Sequence, residues 1–103
     1  MDGSSALTRA GETWLADRGD ERRRLVFVVS GSRFHRLAER VVVAPLLERM
    51  PAAARPWHIS IGDRAVAVNQ LGTMPIDRLL ELVDRADLDV LRQVRRAVRE
   101  ITS

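Results

Sequence analysis

At 103 residues the chain has room for one domain with a real core but little surplus stability. It contains no cysteine, which excludes disulfides and thiolate metal sites, and its two histidines, His35 and His58, lie too far apart in sequence to read as a zinc pair. The net charge of +3, from 17 basic and 14 acidic residues, permits nucleic-acid binding without demanding it, so any basic surface must be local.

All 17 basic residues are arginine, whose planar fork suits phosphate contact. The opening Met1-Asp2-Gly3-Ser4-Ser5 lacks a basic region followed by an apolar stretch, and no run is long enough to cross a membrane. A cytoplasmic protein with no membrane contact is the expectation.

Residues 1–9 are small and polar and are expected to fray. Residues 12–17, with Trp14 and Leu15, read as a first strand. A charged loop over 18–24 ends in Arg22-Arg23-Arg24 and runs into Leu25-Val26-Phe27-Val28-Val29-Ser30, an apolar run with the length of a buried strand. The three arginines stand where the chain passes from solvent into the sheet, a good place to hold an anion and an ordinary place for a solvated turn. Trp14 and Phe27 are assigned to the core.

Gly31-Ser32 breaks the strand. Residues 33–40 have room for one helical turn with Phe34 and Leu37 facing inward at a spacing of three, and His35 falls in this connection. Residues 41–47 form the next strand, and 49–56, with two prolines and an alanine triplet, read as a loop. Trp57, Ile59 and Ile61 alternate with His58 and Ser60, and Gly62-Asp63 turns the chain into a returning strand at 65–68 to complete a hairpin. Trp57 borders the proline-rich loop, where it either fills the core or meets a base.

The last third changes period. Pro75 is placed to open a short helix through Leu79, Leu80 and Val83. Asp84 reads as the N-cap of a second helix, with Asp87 three residues on. Leu88, Leu91, Val94, Val98 and Ile101 then recur at three and four. Five short strands and two C-terminal helices, without regular alternation, predict a mainly β or α+β domain, or a small barrel with a strongly curved antiparallel sheet.

The order of these segments resembles the MazF/PemK family of type II toxin–antitoxin toxins over roughly 90 residues. Gly11-Glu12-Thr13-Trp14-Leu15-Ala16-Asp17 is similar to the family's opening strand. Arg23-Arg24-Leu25-Val26-Phe27-Val28-Val29-Ser30 is similar to the strand that normally begins Arg-Pro. Arg33-Phe34-His35-Arg36 follows where the family often has an Asn-Arg segment. Val41-Val42-Val43-Ala44-Pro45-Leu46 matches its valine-rich strand. Trp57-His58-Ile59 matches a His-Val strand, and Val68-Asn69-Gln70-Leu71-Gly72-Thr73 an Asp-Gln-Leu/Ile-x-Thr segment.

The resemblance implies a single domain over 1–103 with an SH3-like barrel, a homodimer, a cognate antitoxin, and cleavage of single-stranded RNA without metal or cofactor. The family's catalytic arginine falls on Arg24 and its catalytic threonine on Leu47, which carries no oxygen. Ser30, Ser32, His35, Glu48 and Asn69 are the nearby oxygens and imidazole that could replace the hydroxyl. The catalytic set is Arg24, Glu48, His35 and Ser30, and the RNA-binding set is Arg22, Arg23, Ser32, Arg33, Asn69, Gln70 and Trp57. The alternative is a binding protein that keeps the fold without cleavage, or an inhibitor of a protein target such as DNA gyrase, as in CcdB-type toxins.

Overall fold

In the computed structural model, which describes residues 8–17, 19 and 22–103, seven strands join in one antiparallel sheet. They are β1 (Glu12–Asp17), β2 (Arg23–Val28), β3 (Arg40–Leu47), β4 (His58–Ile61), β5 (Arg64–Ala67), β6 (Gly72–Pro75) and β7 (Leu79–Arg85). A short helix, α1 (Ser32–Ala38), links β2 to β3, and a long one, α2 (Leu88–Thr102), closes the chain. The strand order is β4-β5-β3-β2-β1-β7, with β6 also paired to β3.

β3 shapes the sheet. Along one edge its first half, Arg40 to Val43, pairs with β6, while Leu46 and Leu47 pair with β5. Its other edge pairs with β2 through Val43, Ala44 and Pro45. One strand serving three partners has to bend, and that bend separates two apolar clusters. Ala16, Val26, Val28, Val41, Val43, Met74, Ile76 and Leu79 form one; Phe27, Ala44, Ile59, Val66 and Val68 meet α2 through Leu91, Val94 and Ala97 in the other. Val26, Phe27 and Val28 are all buried because the middle of β2 has a cluster on each face. This is why its sequence reads as a continuous apolar run.

The expected strands at 12–17 and 41–47 and the hairpin at 57–68 are present. Gly62 takes φ +59° in the two-residue turn between β4 and β5, a conformation glycine adopts without a Cβ penalty.

The helix expected from Pro75 through Leu79, Leu80 and Val83 is instead a single 3-10 turn, Ile76–Arg78, followed by β7. Pairing of β7 with β1 overrides the helical spacing of those residues. The cap of α2 is therefore Asp87, not Asp84: the Asp87 carboxylate accepts from the Val90 backbone N–H at 3.1 Å. The count becomes seven strands with one C-terminal helix. On that helix Leu91, Val94 and Ala97 are buried, whereas Leu88 and Ile101 are exposed.

The helical turn near residue 35 is real, but its facing is reversed. Phe34 and Leu37 are 41% and 76% exposed, and His35 is the residue inside, at 0%. Hydrogen bonds explain the inversion. His35 Nδ1 lies 3.0 Å from the Thr8 carbonyl, which can only accept, so Nδ1 carries the hydrogen. A ring with its hydrogen on Nδ1 presents Nε2 as an acceptor, and Nε2 lies 2.6 Å from Ser30 Oγ, which donates to it while accepting from the Val42 backbone N–H at 2.8 Å. Ser32 Oγ donates to the same Thr8 carbonyl at 3.2 Å. Of the stretch 1–9 expected to fray, residues 1–7 lie outside the described residues, Thr8 is fully buried in this cluster, and the Arg9 backbone N–H donates to Glu12.

A second polar fixture sits at the start of β1. Glu12 is 2% exposed; its Oε1 accepts from the Arg9 backbone and Trp14 Nε1, each at 3.0 Å, and its Oε2 from Arg85 Nε at 3.2 Å. The carboxylate ties β1 to β7 and holds Trp14 half-buried against the first cluster.

Candidate active site

The ladder between β2 and β3 ends at Val26↔Pro45. The next two residues of β3, Leu46 and Leu47, pair with β5 on its other edge. The strands part there, and an open depression of about 530 Å³ occupies the gap. Its walls carry Leu15, Arg23, Arg24 and Leu25 on one side and Pro45, Leu46, Leu47 and Glu48 on the other, with Arg64 and Gln70 completing the rim.

Continuing the β2–β3 register by two steps sets Arg24 opposite Leu47, and one step more sets Arg23 opposite Glu48. Continuing β3–β5 by one step sets Arg64 opposite Glu48 from the other side. Arg23 and Arg64 thus hold the strand positions on either side of Glu48. Arg23, Arg24, Glu48 and Arg64 are all exposed, and among the described residues the ion pair formed is the one between Glu12 and Arg85. These side chains face solvent and form no ion pair among the described residues.

The chemistry on offer is narrow. Arginine donates and stays protonated, a carboxylate accepts, and the floor at Leu47 is apolar. The set suits an anion with a nearby hydroxyl proton to remove. Among the described residues no group of three or more His, Cys, Asp or Glu side chains could hold a metal ion.

The family model for PemK-like, MazF-like toxins of type II toxin–antitoxin systems matches residues 9–102. The chain belongs to this family. Solved structures agree on the fold. MazF from Deinococcus radiodurans superimposes with a TM-score of 0.74 at 21% identity, covering 92% of this chain and 96% of that one. An endoribonuclease with its cognate antitoxin from a mycobacterial species gives 0.80 at 16% identity, with 92% and 94% covered. A MazE–MazF structure from D. radiodurans gives 0.77 at 19%, with 92% and 95% covered. No curated protein matches the chain in sequence.

Within this toxin the expected site residues separate. Arg23, Arg24, Glu48 and Gln70 line the depression. Ser30, Ser32 and His35 do not: they belong to the buried cluster at the far end of the β2–β3 pair, six residues and roughly 20 Å of strand from Arg24. His35 lies inside α1 with both ring nitrogens engaged. Arg33 is exposed on α1, and Arg22 is exposed just before β2. Asn69 is exposed in the 3-10 turn (Val68–Gln70) that delivers Gln70 to the rim. Trp57 is half-buried against the second core cluster and lines a separate depression of about 270 Å³ with Pro56, Ala97, Glu100 and Ile101.

Arg64 lines the groove and was absent from the sequence expectation. Its local context, one residue beyond the Gly62-Asp63 turn, marks only a hairpin. The informative fact is its alignment with residues 47 and 48, which is set by strand pairing across the hairpin loop.

Proposed function

We propose that this single-domain toxin is a metal-independent endoribonuclease that cleaves single-stranded RNA in the groove where β2 and β3 part. The observation that carries the reading is that Arg24 and Glu48 line this one groove, both exposed and in no ion pair among the described residues, in a chain of the PemK/MazF-like family. Arg24 donates its guanidinium N–H groups to the scissile phosphate and stabilises the charge that develops there. Glu48 takes the proton of the adjacent 2′-hydroxyl, whose oxygen attacks phosphorus. The bond from phosphorus to the 5′-oxygen breaks, and that oxygen takes a proton from water in the open groove. The products are a 2′,3′-cyclic phosphate and a 5′-hydroxyl.

The toxin acts as a homodimer neutralised by a cognate antitoxin, and it works in the cytoplasm, where mRNA is found. Support for the antitoxin comes from the similar fold of antitoxin-bound MazF and of the mycobacterial endoribonuclease complex. Support for dimerisation comes from the exposed apolar residues Phe34, Leu37, Leu80 and Val83, the last two on edge strand β7. No helix among the described residues is long and apolar enough to cross a membrane.

The test is incubation of the purified protein with a long RNA in excess chelator, followed by mapping of the new ends. Discrete cuts bearing 5′-hydroxyl ends are expected. Intact RNA across several long transcripts would overturn the reading.

A further inference from the structure

We infer that the outer face of α2, with the depression beside Trp57, is a second contact surface for single-stranded RNA, separate from the groove. The inference rests on the reading that RNA is this toxin's substrate and adds a surface which that reading does not use.

The charge pattern comes first. Arg92, Arg95, Arg96 and Arg99 are all exposed, and helical geometry places them within an arc of roughly 100°. Leu91, Val94 and Ala97 hold the opposite, buried side of the helix. The stripe runs for about 10 Å along the axis, long enough to face more than one phosphate. Its spacings of three and four, 92–95, 92–96, 95–99 and 96–99, all join like charges, which repel at that distance. Acidic residues of α2 stand only at the margins, Asp89 before the stripe and Glu100 after it. Among the described residues none of the four arginines is in an ion pair. A helix face that serves solubility alone gains from mixing the two signs. This face instead gathers more positive charge than the +3 of the whole chain. A polyanion laid across it relieves the repulsion.

The depression comes second. It measures about 270 Å³ and is lined by Pro56, Trp57, Ala97, Glu100 and Ile101. Its helical wall begins one residue past Arg96, so it flanks the stripe. The lining is apolar apart from Glu100, which suits a planar base better than a phosphate, and the half-buried Trp57 contributes the indole. The Glu100 carboxylate accepts from the amino group of a base, whereas it repels the carboxylates of an acidic peptide. An aromatic platform beside a basic stripe is a combination that holds single strands. α2 also packs against the turn at Val68–Gln70, and Gln70 lies on the groove rim, so a strand longer than the groove has this helix for a neighbour.

The test is the salt dependence of binding to two single strands made uncleavable by 2′-deoxy substitution, a pentanucleotide sized for the groove and a long strand. Arg92→Gln/Arg96→Gln removes charge from exposed positions and keeps good helix formers there. It should weaken long-strand binding at least tenfold and lower the log–log salt slope by at least about 0.7, the share of one single-strand phosphate contact. Pentanucleotide binding, and single-turnover cleavage of a short RNA, should stay within threefold of wild type. Arg36→Gln/Arg40→Gln, which removes two exposed arginines elsewhere, controls for lost net charge and should leave the long-strand slope unchanged. Circular dichroism confirms the fold of both variants. Trp57 reports the base contact independently: in a Trp14→Phe protein it is the remaining tryptophan, and the long strand should quench its emission while the pentanucleotide does not.

Wild-type affinity and slope in Arg92→Gln/Arg96→Gln overturn the surface, and that is also the outcome if the face takes an acidic protein. Equal losses in Arg36→Gln/Arg40→Gln reduce the effect to net charge and overturn it as well. Unquenched Trp57 rejects the base contact. A wild type that binds the long strand through this face but never cleaves would sink the cleavage reading and leave the surface standing.

Discussion

The two ends of the β2–β3 pair carry similar polar residues arranged to opposite effect. At one end Thr8, Ser30, Ser32 and His35 are closed on one another: each ring nitrogen of His35 has a partner, and Ser30 Oγ both accepts and donates. At the other end Arg23, Arg24, Glu48 and Arg64 surround an open groove with no ion pair among them. The first arrangement spends its hydrogen-bonding capacity on the fold, and the second leaves its capacity open to solvent. Residue type alone does not separate the two, since a serine–histidine pair 2.6 Å apart has the composition of a catalytic pair. What separates them is that every polar atom in the buried pair already has an internal partner.

That contrast predicts that stability and activity divide between the two ends. The largest stability effect is expected from His35→Ala, which leaves a cavity and strips partners from Ser30 and the Thr8 carbonyl. The cost should be about 3–5 kcal/mol, seen as a midpoint shift in urea unfolding, with the cleavage rate per folded molecule unchanged. A His35→Ala variant of normal stability but without activity would break the comparison.

Glu12→Gln comes next. The amide turns a donor toward Arg85 Nε where the carboxylate oxygen accepted, and the exposed Arg85 side chain falls back on solvent. A loss of about 2 kcal/mol is expected by the same measurement. No loss would mean that the carboxylate does not anchor β7 to β1.

The smallest effect has the opposite sign. Thr13 Oγ1 is buried without a partner among the described residues. Thr13→Val keeps the shape and removes the orphaned hydroxyl, so a gain of about 1 kcal/mol is expected. For a domain of this size that raises the thermal midpoint by about 4–8 °C.

These contrasts also show where sequence reasoning reaches and where it stops. The β4–β5 hairpin and α2 were legible because their periods are local: two in the strands, three and four in the helix. β7 was not, since Leu79, Leu80 and Val83 fit a helical spacing and only the partner strand β1 decides otherwise. α1 was found but read inside out. Two apolar residues outweighed one histidine in the pattern, whereas the structure rewards the histidine's hydrogen bonds to Thr8 and Ser30, one of them 27 residues away. In the groove, Arg24 and Glu48 were legible through family resemblance, while Arg64 reaches them only through a register invisible before the strands are paired.

The central claim, that the open end of β2–β3 is the RNA-cleaving site, is tested most directly by Arg24→Ala. The measurement is single-turnover cleavage of a long RNA in chelator, made alongside thermal unfolding of the same sample. The account predicts at least a hundredfold loss of rate, about 3 kcal/mol of transition-state stabilisation, with an unfolding midpoint within about 2 °C of wild type. Cleavage at the wild-type rate by a folded Arg24→Ala protein would contradict it.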